Sequence, residues 1–414
     1  MNTPSKTKLS RAQEIKNNGN TNHNGLLIGT ISIVCLSIVV LLWRLVAISD
    51  NKVSMLELAT KHHLFIDSPW WKSLASIYGP YYFLLHVIYA IHRNLYFFRL
   101  LSILPALAAA LLVYWIVSRY HGYKIAILAS SLLITNYAVL IISRVASPIS
   151  TQLLPLVLLI AIILYLEQPP VNLYPLLAME VAIIGCLYIP GMIWIVAAIL
   201  GLNTKILKKT IFARSLTERV IMLLVAILSL VPLLYRLVAH YTSSQLLNWL
   251  GYALHGTTHA MSNLGSNIIN TVLDLFIHSN RLNSSLSLGH LPLITVAQSV
   301  IIVVGLYYYA SRRTNVRWRN LLIIFLITWL IIGFGVVSVY SLLPLCSILT
   351  GTGLAYLLKK WYEVFPRNLV AKYLGIVTLS TVVVLVCILS LRTYYVAWAY
   401  NPSTRLDYSH KLYR

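Results

Sequence analysis

A series of long apolar runs separated by short polar segments constrains this chain more than any other feature. About 20 predominantly apolar residues are enough to cross the hydrocarbon core of a bilayer as a helix. Such runs lie at 25–48 and near 98–118, 125–143, 150–166, 173–189, 191–203, 217–238, 291–310, 320–338, 342–358 and 373–393. Inside a bilayer a backbone must satisfy its own N–H and C=O groups, so each run is expected to be helical. The expected fold is all-α: a polytopic integral membrane protein of about 11 transmembrane helices. Composition agrees. The 414 residues are 59% hydrophobic and 10% charged, where soluble proteins are roughly 25% charged. That leaves too little polar surface to cover a water-soluble globule.

Lys and Arg number 32 against 10 Asp and Glu, a net charge of +22. In a soluble chain this would suggest nucleic acid, which is not an expected partner here. In a membrane protein the basic residues report orientation, because cytoplasmic loops are rich in Lys and Arg. A cytoplasmic N-terminus places Lys6, Lys8, Arg11 and Lys16 inside. It also places inside the groups Arg119 and Lys124; Lys205, Lys208, Lys209, Arg214 and Arg219; Arg312, Arg313, Arg317 and Arg319; and Lys359, Lys360, Arg367 and Lys372. The C-terminus then falls outside. The first run is too long for a signal peptide and lacks a small-residue cleavage site, so it reads as an uncleaved anchor. The organisation expected is a basic tail at 1–25, a membrane domain at 26–393 and an outer tail at 394–414. Residues 78–91 are apolar too, but as a span they would move Arg119, Lys124 and every later basic loop outside. They are therefore expected to form an amphipathic outer-surface or re-entrant helix. Two long outer segments result, 49–97 and 239–290, and function commonly sits in such segments. Cys35, Cys186, Cys346 and Cys387 fall in apolar runs without CxxC spacing, so neither a disulfide framework nor a zinc site is implied.

Asp50 lies just past the first run. One reading makes Ser49 or Asp50 the cap of an amphipathic helix running to Lys61. The other holds the Asp50 carboxylate at the interface as a base toward an acceptor hydroxyl, or as a metal ligand. Asp67 precedes Trp70 and Trp71, a pair that suits either interfacial anchoring or sugar stacking beside an acid. His62, His63, His255 and His259 could ligate a metal, and His255 and His259 share a helix face, but no third ligand stands nearby. Arg99, Arg144 and Arg236 lie at expected outer ends of spans, with few acids near them. They either snorkel to the interface or clamp a lipid phosphate, for which a planar guanidinium is suited. Glu180 is a carboxylate within an expected span, either part of an ion path or a neutral hydrogen-bonded group.

Several segments in order resemble the GT-C glycosyltransferases, in particular the branch with protein O-mannosyltransferases and the lipid A aminoarabinose transferase. These are Ser49-Asp50-Asn51 after the first run, Gly79-Pro80-Tyr81-Tyr82 in the surface segment and Phe98-Arg99-Leu100 at the second span. Ile142-Ser143-Arg144 follows at the end of the third, then Leu187-Tyr188-Ile189-Pro190-Gly191 and Tyr340-Ser341-Leu342-Leu343-Pro344. The resemblance covers 26–203 best. It implies transfer of a sugar from a polyprenyl-phosphate-linked donor to an acceptor glycan, lipid or protein on the outer face. It further implies Asp50 as base and Arg99, Arg144 and Arg236 on the donor phosphate. Asp67, Trp70, Trp71, His255 and His259 would be the groups placed to touch acceptor or sugar. The family's paired acids are reduced here: Asn51 stands beside Asp50, and residues 147–152 contain no acid. The family leaves room for a divalent metal, but one carboxylate falls short of the several oxygen ligands a hard cation wants, so no cofactor is expected. A catalytically inactive GT-C-like protein that binds lipid or protein is the alternative, and a transporter or flippase relying on Glu180 is the third.

Overall fold

The computed structural model describes residues 25–43, 45, 52–54, 56–60, 70–91, 94–167, 172–239, 246, 249–251, 264–278, 286, 288–289, 291–311, 316–408 and 410–411. Within them the chain is helical, apart from turns and one two-residue antiparallel pair of strands. The helices are α1 (Gly25–Leu42), α2 (56–60), α3 (Trp70–Leu74), α4 (Gly79–Ile91), α5 (Leu95–His121), α6 (Tyr123–Thr135) and α7 (Tyr137–Arg144). There follow α8 (Pro155–Leu166), α9 (Leu173–Leu187), α10 (Met192–Leu202), α11 (Thr204–Phe212), α12 (Leu216–Ala239) and α13 (Leu264–Phe276). The last are α14 (Val296–Ser311), α15 (Val316–Gly333), α16 (Leu343–Val364), α17 (Leu369–Arg392) and α18 (Pro402–Asp407). The strands are β1 (Lys52–Val53) and β2 (His410–Lys411), with Lys52 opposite Lys411 and Val53 opposite His410.

Six helical segments are long and apolar enough to cross a membrane: Gly25–Leu42, Leu95–His121, Pro148–Leu166, Leu216–Val238, Val339–Val364 and Leu369–Trp398. A seventh arises if α6 and α7, bent by 58°, form one span. The chain thus has the character of a multi-pass membrane protein. Asn136 causes the bend. Its side-chain oxygen accepts from the backbone N–H of Ala138 (2.9 Å) and Val139 (3.3 Å), opening a new helix inside the apolar run. Its amide nitrogen donates to the Leu293 carbonyl, and Ser390 Oγ accepts from Tyr137 N–H. The N–H groups of Tyr137, Ala138 and Val139 that the break releases are therefore bonded within the protein, as a membrane interior requires.

Helix α16 is central. In its span 78% of the most apolar stretch is buried, against 11% for α12, which presents its apolar surface outward. Small residues let α16 approach α14 closely. A Cβ built on Gly353 would meet the Ile301 carbonyl oxygen, and one on Gly305 would meet that of Leu349. Such close backbone approach at small residues is how helices associate where lipid removes the hydrophobic drive. Gly353→Leu is expected to separate the two helices and destabilise the protein by about 3 kcal/mol or more, since overpacking a tight seam costs about 1–3 kcal/mol even for smaller insertions. Thermal unfolding in detergent measures this; an unchanged melting point would show that the seam tolerates bulk.

The first span is shorter than its apolar run. It ends at Leu42, with turns at Trp43 and Leu45, and the Trp43 and Leu45 carbonyls accept from Arg144 and Arg99. Those contacts fix the relative ends of the bundle. Leu45 O meets Arg99 at the start of α5, while Leu26 O accepts from Tyr114 farther along it (2.9 Å), so α1 and α5 are antiparallel. The Trp43 carbonyl and the Tyr395 hydroxyl both bond Arg144, which brings the C-terminal ends of α1, α7 and α17 to one end of the bundle.

Candidate functional site

That end holds a set of buried charges and aromatic rings, and its construction starts with Ser54 and Glu57. Ser54 and Glu57 form a capping box at the start of α2: Ser54 Oγ accepts from Glu57 N–H (3.2 Å), and Glu57 Oε2 accepts from Ser54 N–H (3.0 Å). The cap expected at Ser49 or Asp50 is thus corrected. Residues 52–53 are extended, held by β2, and the helix begins only after Ser54.

The box aims Glu57 inward at Arg99. Arg99 Nε lies 2.8 Å from Glu57 Oε1, and Nη2 lies 3.0 Å from Oε2, a two-pronged pair of 2% and 1% exposed side chains. Oε1 also accepts from Ala146 N–H (3.0 Å), so each carboxylate oxygen has two donors. Nη1 donates to the Leu45 carbonyl (3.1 Å). Arg99 therefore sits in a buried internal ion pair that ties α1, α2, α5 and the segment after α7 together. Its expected place on a donor phosphate has to be set against that structural one. The expectation that few acids lie near these arginines left out Glu57, which pairs directly with Arg99.

Arg144 is different. It is 3% exposed, yet no carboxylate among the described residues pairs with it. Nη1 donates to the Tyr395 hydroxyl (2.8 Å), which in turn donates to the Val40 carbonyl (2.8 Å), and Nη2 donates to the Trp43 carbonyl. The guanidinium lies 5.1 Å from the Tyr394 ring and 5.2 Å from that of Tyr395. Neighbouring residues can both reach it because α17 widens into a π-helix over Thr393–Trp398.

A ladder of rings then links the two arginines. Tyr394 stacks on Trp398 (5.1 Å, 14°), Trp398 meets Tyr408 edge-on (5.8 Å, 87°), and Arg99 lies 5.9 Å from the Tyr408 ring. Burial, and next the negative charge of Glu57, hold the Tyr408 phenol well above the usual tyrosine range, so it stays protonated and bonds Ser54. Among the described residues, Arg144 Nε and Trp398 Nε1 are buried donors without a hydrogen-bond acceptor, and Asp407 Oδ2 is a buried acceptor without a donor. Buried polar groups are nearly always bonded, so unmatched ones mark a place where a polar ligand gains most.

Other segments close around this cluster. Tyr81 hydroxyl and Ser102 Oγ are 2.8 Å apart, and Ser147 N–H donates to Ser102 Oγ (3.3 Å). Gln152 donates to the Tyr78 hydroxyl (2.9 Å), and Tyr78 N–H donates to the Tyr188 carbonyl (2.8 Å). Tyr78 has a φ of 59°, a left-handed conformation that turns the chain into α4. Helix α4 packs Tyr81 and Leu85 on Phe98, Leu101 and Ala146. The turn at Tyr188–Gly191 docks on residue 336: Gly191, at φ 72°, has no room for a Cβ beside the Val336 carbonyl.

Of the remaining residues singled out in the sequence, Trp70 packs edge-on against Phe83 (6.0 Å) and Trp71 against Tyr235 (5.8 Å), both still substantially exposed. Neighbours on a helix point about 100° apart, so the two indoles serve different contacts rather than one platform. Arg236, half-buried on the last turn of α12, adjoins Tyr235 at that seam, and no hydrogen bond or ion pair among the described residues joins it to the Arg99–Arg144 cluster. Glu180 is half-buried on α9 with Oε2 unpaired among the described residues. Asp50, Asp67, His62, His63, His255 and His259 lie outside the described residues. No three His, Cys, Asp or Glu side chains gather as a metal site among the described residues. Sequence reasoning missed Glu57, Tyr394, Tyr395, Trp398, Asp407 and Tyr408. Only Glu57 carried a local signal, the Ser-x-x-Glu spacing of a capping box. Compared with known proteins, the chain matches no family model and no curated sequence.

Proposed function

We propose that this chain crosses the membrane eleven times and transfers a sugar from a polyprenyl-phosphate-linked donor to a glycan, lipid or protein acceptor on the outer face. The N-terminus is cytoplasmic and the C-terminus outside. The eleven crossings are the seven long spans, counting α6 with α7 as one, together with the shorter apolar helices α9, α10, α14 and α15. The reading rests on Arg144: a buried guanidinium between two tyrosine rings, without a carboxylate among the described residues and with Nε unmatched. Such a group suits a phosphate, which accepts planar paired N–H donors and whose leaving charge it stabilises. The Gly79, Phe98–Ser102, Ser143–Ala146 and Tyr188–Gly191 segments, which carry the glycosyltransferase resemblance, stand at this same end. Asp50, a few residues before Ser54, is the proposed base.

One observation favours a second reading, a non-catalytic binder of lipid or protein. Glu57 is taken up by Arg99 and cannot also act as a base. An assay separates the two. Proteoliposomes supplied with radiolabelled sugar on polyprenyl phosphate are expected to transfer label with the wild type. Asp50→Asn is expected to reduce this by about 10²-fold or more, the usual size of a general-base contribution. Retention of polyprenyl phosphate without transfer by the wild type would select the binder; unchanged transfer by Asp50→Asn would remove Asp50 as the base.

A further inference from the structure

The opposite end of the bundle carries a separate feature. Between α6, α16 and α17 lies a cleft of about 560 Å³, lined by Tyr123, Lys124, Leu128, Leu358, Tyr362 and Ser380 among others. Its volume is within the roughly 300–1,000 Å³ of sites that hold small molecules. It is graded along its length. Lys124, Tyr123 and Tyr362 stand at the mouth, near the start of α6 and the end of α16. Ile127, Leu128, Leu354, Leu358, Ile376 and Leu379 form the apolar interior. Leu354 to Tyr362 spans eight residues of helix, a depth of roughly 12 Å at 1.5 Å per residue.

We infer that this cleft binds one anionic phospholipid, with an acyl chain between α6, α16 and α17 and the head group on Lys124. Three observations carry the choice of occupant. The deep lining is apolar except for Ser380, and the one charged lining residue, Lys124, stands at the mouth, which matches an amphiphile entering from the end of the bundle. Two of its walls are open rather than packed: Ile127 and Leu128 are half-buried, and α17 buries only 22% of its most apolar stretch. The rim is basic as well. Lys124 lines the cleft itself; Lys359 and Lys360 near the end of α16, Arg367 in the following turn and Lys372 at the start of α17 add to it, and Glu363 is the one acid in that stretch of sequence. Lys360 is held by that Glu363 (2.7 Å), while Lys124 is exposed with no ion-pair partner among the described residues. A cation over an apolar slot selects a negative head group by charge and any acyl chain by burial.

The test is native mass spectrometry of the delipidated full chain, incubated with equal amounts of phosphatidylglycerol and phosphatidylcholine. The wild type is expected to retain one phosphatidylglycerol about fivefold more than phosphatidylcholine, the preference one lysine near a membrane surface gives. Lys124→Gln, an exposed position that leaves folding intact, is expected to abolish the preference while keeping a bound lipid. Leu128→Trp fills the slot and is expected to abolish retention of both. Equal retention of the two lipids by the wild type, an undiminished preference in Lys124→Gln, or full retention by a folded Leu128→Trp would overturn the inference. So would a dimer that Leu128→Trp alone dissociates, which would assign the cleft to a second copy of the chain.

Discussion

Replacing Arg99 with Met is expected to lower the melting temperature of the detergent-solubilised protein by about 5–10 °C, because removing one partner of a buried ion pair costs about 3–5 kcal/mol. The loss exceeds that of a surface pair for a specific reason. Glu57 has both oxygens enclosed, and without the guanidinium its charge keeps only the Ala146 and Ser54 N–H groups. The Leu45 carbonyl loses a donor at the same time. Glu57→Gln should be damaging too, since it leaves Arg99 charged and turns one acceptor into a donor facing other donors. Combining the two substitutions removes both charges and should recover part of the loss, since a buried pair replaced as a unit costs far less than a broken one. Lys360→Met, which breaks the exposed pair with Glu363, is the control and should not change the melting point measurably. Should Arg99→Met melt with the wild type, the buried pair would not be what holds α2 to the start of α5.

Arg144→Lys is the second large effect: it should weaken binding of polyprenyl phosphate by about 10²-fold, near the lower end for removal of one donor to a developing or bound anion. Lysine keeps the positive charge and can still donate to the Trp43 carbonyl, so stability should change much less than affinity. It cannot do two other things. An ammonium is not flat, so it cannot lie against the Tyr394 and Tyr395 rings as the guanidinium does. It also has no counterpart to Nε, the donor left unmatched here. Direct titration of the purified variants with polyprenyl phosphate reads the effect, with melting temperature measured alongside. Binding by Arg144→Lys at wild-type strength would mean that the phosphate is held elsewhere, with Arg236 at the α3–α12 seam the next residue to substitute.

The membrane character of the fold was legible because it depends on local sequence. Each helix named as a long span starts and ends within a few residues of an apolar run, except α1, which stops at Leu42. The exception has a tertiary cause, the arginines that take the carbonyls of Trp43 and Leu45. The break at Asn136 was hidden for a related reason: one polar residue in an apolar run does not stop a helix unless partners such as the Leu293 carbonyl, for its side-chain amide, and Ser390, for the following N–H, are brought to it. Helix α4 was legible in existence, and its packing on Phe98 and Ala146 was not.

The site divides along the same line. The sequence by itself determined that Arg99 and Arg144 would stand near helix ends, because their charges cannot rest in the middle of an apolar run. It also held, in Ser54 and Glu57, the spacing that turns a carboxylate back toward its own helix start. Only the tertiary structure decided what those charges meet. Glu57 reaches Arg99 across 42 residues, and Arg144 reaches Tyr395 across 251. Two equivalent-looking arginines become unlike: one neutralised by an acid, the other enclosed by tyrosine rings. That difference is set by which chain segments a folded bundle brings to one end, and long-range contacts of this kind leave no periodicity or spacing to read.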